Sequence, residues 1–129
     1  MNNTNRKVLA LPMAGAIAAL AATFSAAAQD VPPSYVASPD VYKVIAQDDR
    51  YIVMEVTWKA GQKDNMHSHP KGLVVHFVTD CHSRTTTAEG KVAEGKRKAG
   101  ETLVLGPVKA HTFENIAQTD CKHIHVEAK

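Results

Sequence analysis

Hydrophobic and polar positions alternate along much of the chain after residue 40, and this pattern predicts a succession of short β-strands. In the clearest case Ile52, Met54, Val56 and Trp58 occupy every second position and share one face. No later segment carries the long 3.6-residue period of a packed helix. The predicted strands are 41–46, 51–58, 73–79, 83–87, 92–98, 102–105, 110–116 and 123–126.

Glycine and proline mark the turns between these strands, at Gly61, Gly90, Gly100 and Gly106-Pro107. Many short strands divided by such turns are typical of a β-sandwich or a β-barrel. The run 73–79 is almost continuously apolar and predicts a strand that is buried on both faces. The predicted fold class is therefore all-β.

The first 28 residues have the composition of a secretory signal peptide. Arg6 and Lys7 precede an apolar, alanine-rich stretch at 8–24, and Ala26-Ala27-Ala28 offers a small-residue cleavage site. An uncleaved membrane anchor is the alternative, but no stop-transfer charges follow the stretch. Cleavage predicts a periplasmic or secreted protein with no stable membrane insertion.

The mature chain, residues 29–129, suffices for one small domain and not for two. Residues 29–40 contain three prolines among small polar residues and predict an extended arm without a core of its own. The barrel then covers residues 41–129. The formal net charge of the whole chain is +2, and the dense basic cluster at 91–98 lies beside Glu89, Glu94 and Glu101. This indicates a solvated surface, so nucleic acid is not expected as a partner.

Cys81 and Cys121 are the two cysteines of the chain. Export would bring them to an oxidising compartment, where such a pair can form a disulfide. The closed loop would stabilise the fold by roughly 3–4 kcal/mol. Two separate buried thiols are the alternative, because pairing needs Cα atoms within about 7 Å and the sequence leaves that distance open.

Three histidines provide candidate metal chemistry. His67 and His69 are two residues apart, so on an extended strand their imidazoles point to the same side. His111 lies near the start of another predicted strand. Three neutral imidazoles on rigid strands suit a divalent transition metal, with positions left open for water or substrate.

The surroundings of the first two histidines resemble the first motif of the cupin superfamily, Gly-x5-His-x-His-x3-4-Glu-x6-Gly. Gly61, His67 and His69 stand at matching positions, whereas Val74 replaces the glutamate and Cys81 replaces the closing glycine. Every spacing of the motif matches, whereas the residues at positions 74 and 81 differ.

The second cupin motif, Gly-x5-Pro-x-Gly-x2-His-x3-Asn, has a counterpart as well. Gly100, His111 and Asn115 match it, and Gly106-Pro107-Val108 takes the place of Pro-x-Gly. The two motifs with their flanking strands cover most of residues 41–129. The resemblance implies a double-stranded β-helix, the jelly-roll barrel of cupins, whose motif histidines face an interior pocket.

By the same resemblance, His67, His69 and His111 would hold a divalent transition metal, which could be Fe, Mn, Ni, Cu or Zn. Cupins usually add a glutamate ligand, which Val74 cannot replace, but the thiol dioxygenases are three-histidine cupins. The charge of the ion would then be balanced by hydroxide or by an anionic substrate. A homodimer paired through sheet edges is also implied by the resemblance alone.

Val74, His76 and Phe113 are further candidates for the pocket wall. His76 shares a face with Val74, so it is a candidate pocket residue or general base, and a hydrogen-bonded core histidine is the alternative. His123 and His125 alternate with aliphatic residues and are expected to face solvent. No Ser-His-Asp order, phosphate loop or carboxylate pair identifies a catalytic residue.

Three functions fit these observations. The first is a metal-dependent, dioxygenase-like enzyme acting on a small molecule. The second is a non-catalytic module that binds a small ligand or a metal. The third is a metal-free, degenerate cupin that acts through a surface or dimer contact. The sequence leaves open whether the chain is an enzyme, and it names neither the metal nor the substrate.

Overall fold

A computed structural model describes residues 30–129, and the predicted signal peptide lies outside them. The described chain starts with a short helix, α1 (Ser34–Ala37), and continues as nine strands. The strands are β1 (Tyr42–Gln47), β2 (Tyr51–Trp58), β3 (His67–His69), β4 (Leu73–Phe77), β5 (Cys81–Thr87), β6 (Val92–Arg97), β7 (Thr102–Leu105), β8 (Val108–Asn115) and β9 (Cys121–Ala128). None of the helical structure from residue 30 onward is long and apolar enough to cross a membrane.

Two antiparallel sheets form the barrel. The five-stranded sheet has the order β1-β2-β9-β4-β7, and the four-stranded sheet has the order β3-β8-β5-β6. Partners are distant in the sequence: β2 pairs with β9 along its whole length, from Tyr51 opposite Ala128 to Trp58 opposite Cys121. The chain therefore crosses between the sheets repeatedly, and the predicted all-β, single-domain double-stranded β-helix is confirmed.

The hydrophobic core lies between the two sheets. Every second residue of β2 is buried, as its alternation predicts, and the same holds for β4. The buried residues of these strands are Ile52, Met54, Val56, Trp58, Leu73, Val75 and Phe77. Each such burial stabilises the fold by roughly 1.5–3 kcal/mol. The register of these strands fixes which positions of the neighbouring strand β9 face inward.

The segment before the barrel differs from the predicted extended arm. It forms a helical turn, and both Ser34 and Ser38 are buried. The Ser34 hydroxyl donates a hydrogen bond to Glu127 (3.3 Å), and Ser38 Oγ accepts one from the backbone N–H of Asn65 (2.8 Å). The arm is thus anchored beside the barrel through polar contacts. Such contacts leave no hydrophobic period in the sequence, so the composition of residues 29–40 did not indicate them.

Candidate metal centre

Three histidine rings converge inside the barrel. Strand β3 buries His67 and His69 on one face, and its register with β8 puts His111 opposite His67. The ring centroids are 4.9 Å apart for His67 and His69, 4.4 Å for His67 and His111, and 5.3 Å for His69 and His111. One nitrogen of each ring lies within 4.8 Å of the others. All three rings can therefore contact a single ion.

Backbone carbonyl groups orient two of the rings. Nδ1 of His67 lies 2.8 Å from the carbonyl oxygen of Asn65, and Nδ1 of His111 lies 2.9 Å from that of Lys109. A carbonyl oxygen only accepts hydrogen bonds, so each Nδ1 carries the ring hydrogen and each Nε2 has the lone pair that can bind a metal. Proteins orient histidine ligands toward metals in this way.

A carboxylate orients the third ring. His69 Nδ1 donates to Oε1 of Glu127 over 2.8 Å, and both side chains are buried. A carboxylate in this position makes Nε2 more basic and brings negative charge close to the metal position. Glu127 was not singled out from the sequence. Its available signal is the alternation with His123 and His125 on β9, which places all three on one face.

Burial keeps the imidazoles of His67 and His111 neutral. Loss of solvation lowers the pKa of His67 to about 3, and the neighbouring His111 and His69 add to the effect. Loss of solvation also lowers the pKa of His111. Asp64 Oδ1 lies 3.7 Å from Nδ1 of His67, but this contact is not an ion pair at neutral pH because the ring is uncharged. Protons therefore do not compete with a metal for the Nε2 lone pair of His67.

A buried carboxyl group, Asp64, lies behind His67. Its Oδ2 accepts hydrogen bonds from the Tyr42 hydroxyl (2.8 Å) and from Trp58 Nε1 (3.1 Å), and its Oδ1 accepts one from the N–H of Phe113 (2.7 Å). Burial raises the pKa of Asp64 to about 6, although these hydrogen bonds oppose the shift. The Tyr42 oxygen is also 3.2 Å from Nε2 of His67. A phenol thus lies beside the metal position, which the sequence did not indicate.

A cavity of about 300 Å³ lies beside the histidines. His69 and His111 form part of its wall, together with the candidate pocket residue Phe113, whose ring lies 4.2 Å from that of Trp58. The apolar residues of the remaining wall include Leu73, Val75, Phe77, Leu103, Leu105 and Val108. A small organic molecule therefore has room next to the metal position.

Val74 and His76 do not line this cavity, so their prediction as pocket residues is wrong. The odd-numbered residues of β4 face the core, whereas Val74 is half-buried and His76 is exposed on the opposite face. His76 Nδ1 instead forms a hydrogen bond with Oγ1 of Thr102 on β7, over 2.9 Å. The prediction that this strand is buried on both faces also fails, because its outer face is only partly covered.

His123 and His125 face the interior, which corrects the expectation that they face solvent. They are 2% and 4% exposed, and His123 Nδ1 lies 3.2 Å from His125 Nε2. Burial lowers the pKa of His123 to about 3 and that of His125 well below its usual range. Both rings line the cavity. The rule that aliphatic residues face inward fails on β9 because its inner face borders this cavity and its outer face is half-buried.

Cys81 and Cys121 form a disulfide, so of the two alternatives left open by the sequence the structure contains the bonded one. The bond joins the start of β5 in one sheet to the start of β9 in the other. His123 Nε2 lies 3.3 Å from Sγ of Cys81 and 3.1 Å from Sγ of Cys121. His123, which lines the cavity, therefore contacts the disulfide that joins the two sheets.

The sequence matches no protein-family model and no curated protein. Solved structures nevertheless share its fold. A cupin domain from Bordetella pertussis Tohama I superposes with a TM-score of 0.64 at 20% identity, over 77% of this chain and 96% of that chain. A Klebsiella pneumoniae protein with a double-stranded β-helix domain gives a TM-score of 0.55 at 20% identity, over 68% and 75% of the two chains. A cupin superfamily protein from Desulfitobacterium hafniense DCB-2 gives 0.53 at 11% identity, over the same shares.

These likenesses concern the path of the chain, since the identities are 20% or less. They agree with the two-sheet, all-β architecture described above. The chain has the cupin fold, a single-domain double-stranded β-helix.

Proposed function

We propose that the barrel binds one divalent transition metal through Nε2 of His67, His69 and His111. The observation that carries this proposal is the convergence of three rings whose Nδ1 atoms are hydrogen-bonded to Asn65, Glu127 and Lys109, which leaves the Nε2 atoms as the metal-binding atoms. Fe, Mn, Ni, Cu and Zn all accept imidazole nitrogen.

The charge around the site supports a cation. The three ligands are neutral, so the ion would bring two positive charges into a buried place. Glu127, which is hydrogen-bonded to His69, supplies one compensating negative charge. Hydroxide or an anionic ligand in an open coordination position would supply the other.

We infer that the reaction class is oxidation of a small organic molecule by dioxygen. A metal held by three protein ligands supplies open positions for substrate and dioxygen. The residues of the chain would hold the substrate: the apolar wall with Phe113 packs its carbon skeleton, and the Tyr42 hydroxyl lies where a polar atom would approach the metal. Oxygen consumption with thiols and phenols as substrates, measured on metal-loaded protein, tests this step.

A non-catalytic binding module is the second candidate, and Val74 at the position of the usual glutamate favours it. The same assay separates the two functions. Heat of ligand binding without oxygen uptake would identify a module, whereas uptake that disappears in His111→Ala would identify an oxygenase.

Export to the periplasm or the medium is part of the proposal. Two observations support it, the signal-peptide composition of residues 1–28 and the Cys81–Cys121 disulfide, since disulfides persist in oxidising compartments. N-terminal sequencing of the protein from fractionated cells should find Gln29 as the first residue. Protein retained in the cytoplasm with its first 28 residues intact would contradict export.

Metal content of the protein, purified without a histidine tag, tests the binding site itself. We expect about one transition metal ion per chain by elemental analysis, and its loss in His111→Ala. His76→Ala is the matched control because His76 lies exposed on β4. Equal metal content in the two variants would contradict the site.

A further inference from the structure

A second cluster of metal-ligating side chains lies at the start of β9. Glu127, which supports the three-histidine centre, lies near the end of the same strand. The second cluster consists of Cys81, Cys121 and His123, which are 5%, 0% and 2% exposed. The His123 ring is within 3.3 Å of both sulfurs. A disulfide sulfur carries no hydrogen and is only a weak acceptor, so the disulfide by itself gives little reason for a buried histidine at this place.

We propose that reduction of the Cys81–Cys121 disulfide converts this cluster into a zinc site, which we call the Cys2His site. A dithiol reductant supplies two electrons and two protons and itself becomes a disulfide, while the S–S bond of the protein breaks to give two thiols. Zn²⁺ then displaces both thiol protons to solvent and binds the two thiolates and Nε2 of His123. The Cys2His site would be separate from the histidines on β3 and β8.

The distances in the structure fit such an ion. The candidate ligand atoms of the cluster lie within 4.8 Å of one another. Tetrahedral zinc with Zn–S near 2.3 Å and Zn–N near 2.0–2.1 Å needs S···N distances of about 3.5 Å and an S···S distance of about 3.8 Å. His123 Nε2 is already 3.1 and 3.3 Å from the sulfurs. Once their bond is broken, the two sulfurs would have to move apart from each other and, by a few tenths of an ångström, away from Nε2 of His123.

Charge favours zinc in these surroundings. Two thiolates balance the two positive charges of Zn²⁺, so the complex with a neutral imidazole has no net charge, and burial of a neutral group avoids the large cost of an unpaired ion. The neighbours of His123 are aromatic: the rings of Phe77, Trp58 and Phe113 lie 4.3, 5.0 and 5.8 Å away. Soft thiolate ligands also prefer zinc to harder ions such as Mg²⁺ or Mn²⁺.

Either crosslink would hold the same two strands. The disulfide joins the starts of β5 and β9, and a zinc ion on the same sulfurs would join them as well. Reduction in the presence of zinc should therefore leave the barrel folded. This makes the oxidised and the reduced protein directly comparable in solution.

Cobalt titration of the purified protein, before and after reduction, tests the Cys2His site. Co²⁺ bound to thiolates gives an intense near-ultraviolet charge-transfer band, which histidine ligands alone do not give. We expect no such band from the oxidised protein. The reduced protein should show a band that saturates with one Co²⁺ per pair of thiols and that disappears when Zn²⁺ is added.

Single variants decide which side chains hold the ion. His123→Ala should weaken cobalt binding to the reduced protein by at least about tenfold, because loss of a direct ligand should cost no less than the 10–100-fold that loss of a partner behind a ligand costs. His82→Ala is the matched control, since His82 follows Cys81 on β5 and its Nε2 faces Glu94 at 3.8 Å. Equal affinities of these two variants would overturn the proposal.

Two further results would also overturn it. One is a reduced, folded protein that shows no thiolate band. The other is the loss of the near-ultraviolet circular dichroism of the barrel when zinc and reductant are present together, because His123 would then no longer lie beside the thiols. The Glu127→Gln variant, which changes a partner of the three-histidine centre but no residue of the Cys2His site, should keep the band, so failure of one site is distinguishable from failure of the other.

Discussion

Oε1 of Glu127 lies 2.8 Å from Nδ1 of His69, although 58 residues separate them in the chain. The contact joins β9, the central strand of the five-stranded sheet, to β3 at the edge of the four-stranded sheet. Because the carboxylate accepts the Nδ1 hydrogen, it directs the Nε2 lone pair of His69 toward the other two histidines. The same hydrogen bond therefore links the two sheets and orients a candidate metal ligand.

Glu127→Gln should weaken metal binding by about 10–100-fold, the usual effect of losing a partner behind a histidine ligand. The amide oxygen still accepts the Nδ1 hydrogen, so the fold should persist while the negative charge is lost. Competition with a chromophoric chelator measures the affinity. Glu55→Gln, on the exposed face of β2, is the control. Identical affinities of both variants would show that the carboxylate does not support the site.

Binding of a paramagnetic metal ion should quench the fluorescence of Trp58, the single tryptophan of the chain. The Tyr42 ring packs against both Trp58 and the three-histidine cluster. Its centroid is 5.4 Å from that of Trp58 and 5.3 Å from that of His67. Paramagnetic Co²⁺ or Cu²⁺ should quench the emission in a saturable titration, whereas Zn²⁺ should not. Quenching that persists unchanged in His111→Ala would place the ion elsewhere.

Replacing both cysteines by alanine should lower the free energy of unfolding by roughly 3–4 kcal/mol, because the bond closes a loop of 40 residues. Urea denaturation of the metal-free protein measures the difference. A total stability in the usual range of about 5–15 kcal/mol would leave the variant folded at 25 °C. A variant as stable as the parent protein would mean that the disulfide constrains little in the unfolded chain.

Acid should destabilise the metal-free protein through its buried histidines. An unfolded histidine titrates near pH 6.5, whereas burial lowers the pKa of His123 to about 3. Between these values the unfolded state binds a proton that the folded state does not. The free energy of unfolding should therefore fall as the pH drops from about 6.5 toward 3, by up to about 1.4 kcal/mol per pH unit for each such group.

Asp64 has the opposite effect on the free energy of unfolding as the pH falls, because burial raises its pKa to about 6. This single carboxyl group offsets the effect of only one of the buried histidines. Urea denaturation at several pH values measures the slope. His123→Gln should flatten it, and His76→Gln, at an exposed position, should not. The same slope in both variants would show that His123 is protonated in the folded protein.

The strands and the three-histidine cluster could be predicted because both depend on local regularities. Alternation along 51–58 predicts the bounds of β2 and its buried face, and the structure has both. The separation of His67 and His69 by one residue places both rings on one face of a strand. Only the pairing of β3 with β8, which brings His111 opposite His67, needed the resemblance to cupins.

The remaining features depend on contacts that no local pattern records. His123 and Glu127 face inward because β9 lies between β2 and β4 and borders a cavity, where polar side chains replace aliphatic ones. His76 shows the reverse case: the hydrophobicity of its strand predicts burial, but the outer face of β4 is left partly open. Natural proteins depart from the rule of apolar residues inside mainly at functional sites, and the polar inner face of β9 is such a departure.

X-ray absorption at the edge of the bound metal, measured on oxidised protein purified without a tag, tests the three-histidine centre most directly. We expect imidazole scattering from three rings with metal–nitrogen distances of about 2.0–2.1 Å. We expect no sulfur neighbour, because both cysteines are in the disulfide. A spectrum with sulfur at about 2.3 Å, or one without imidazole scattering, would contradict the three-histidine centre.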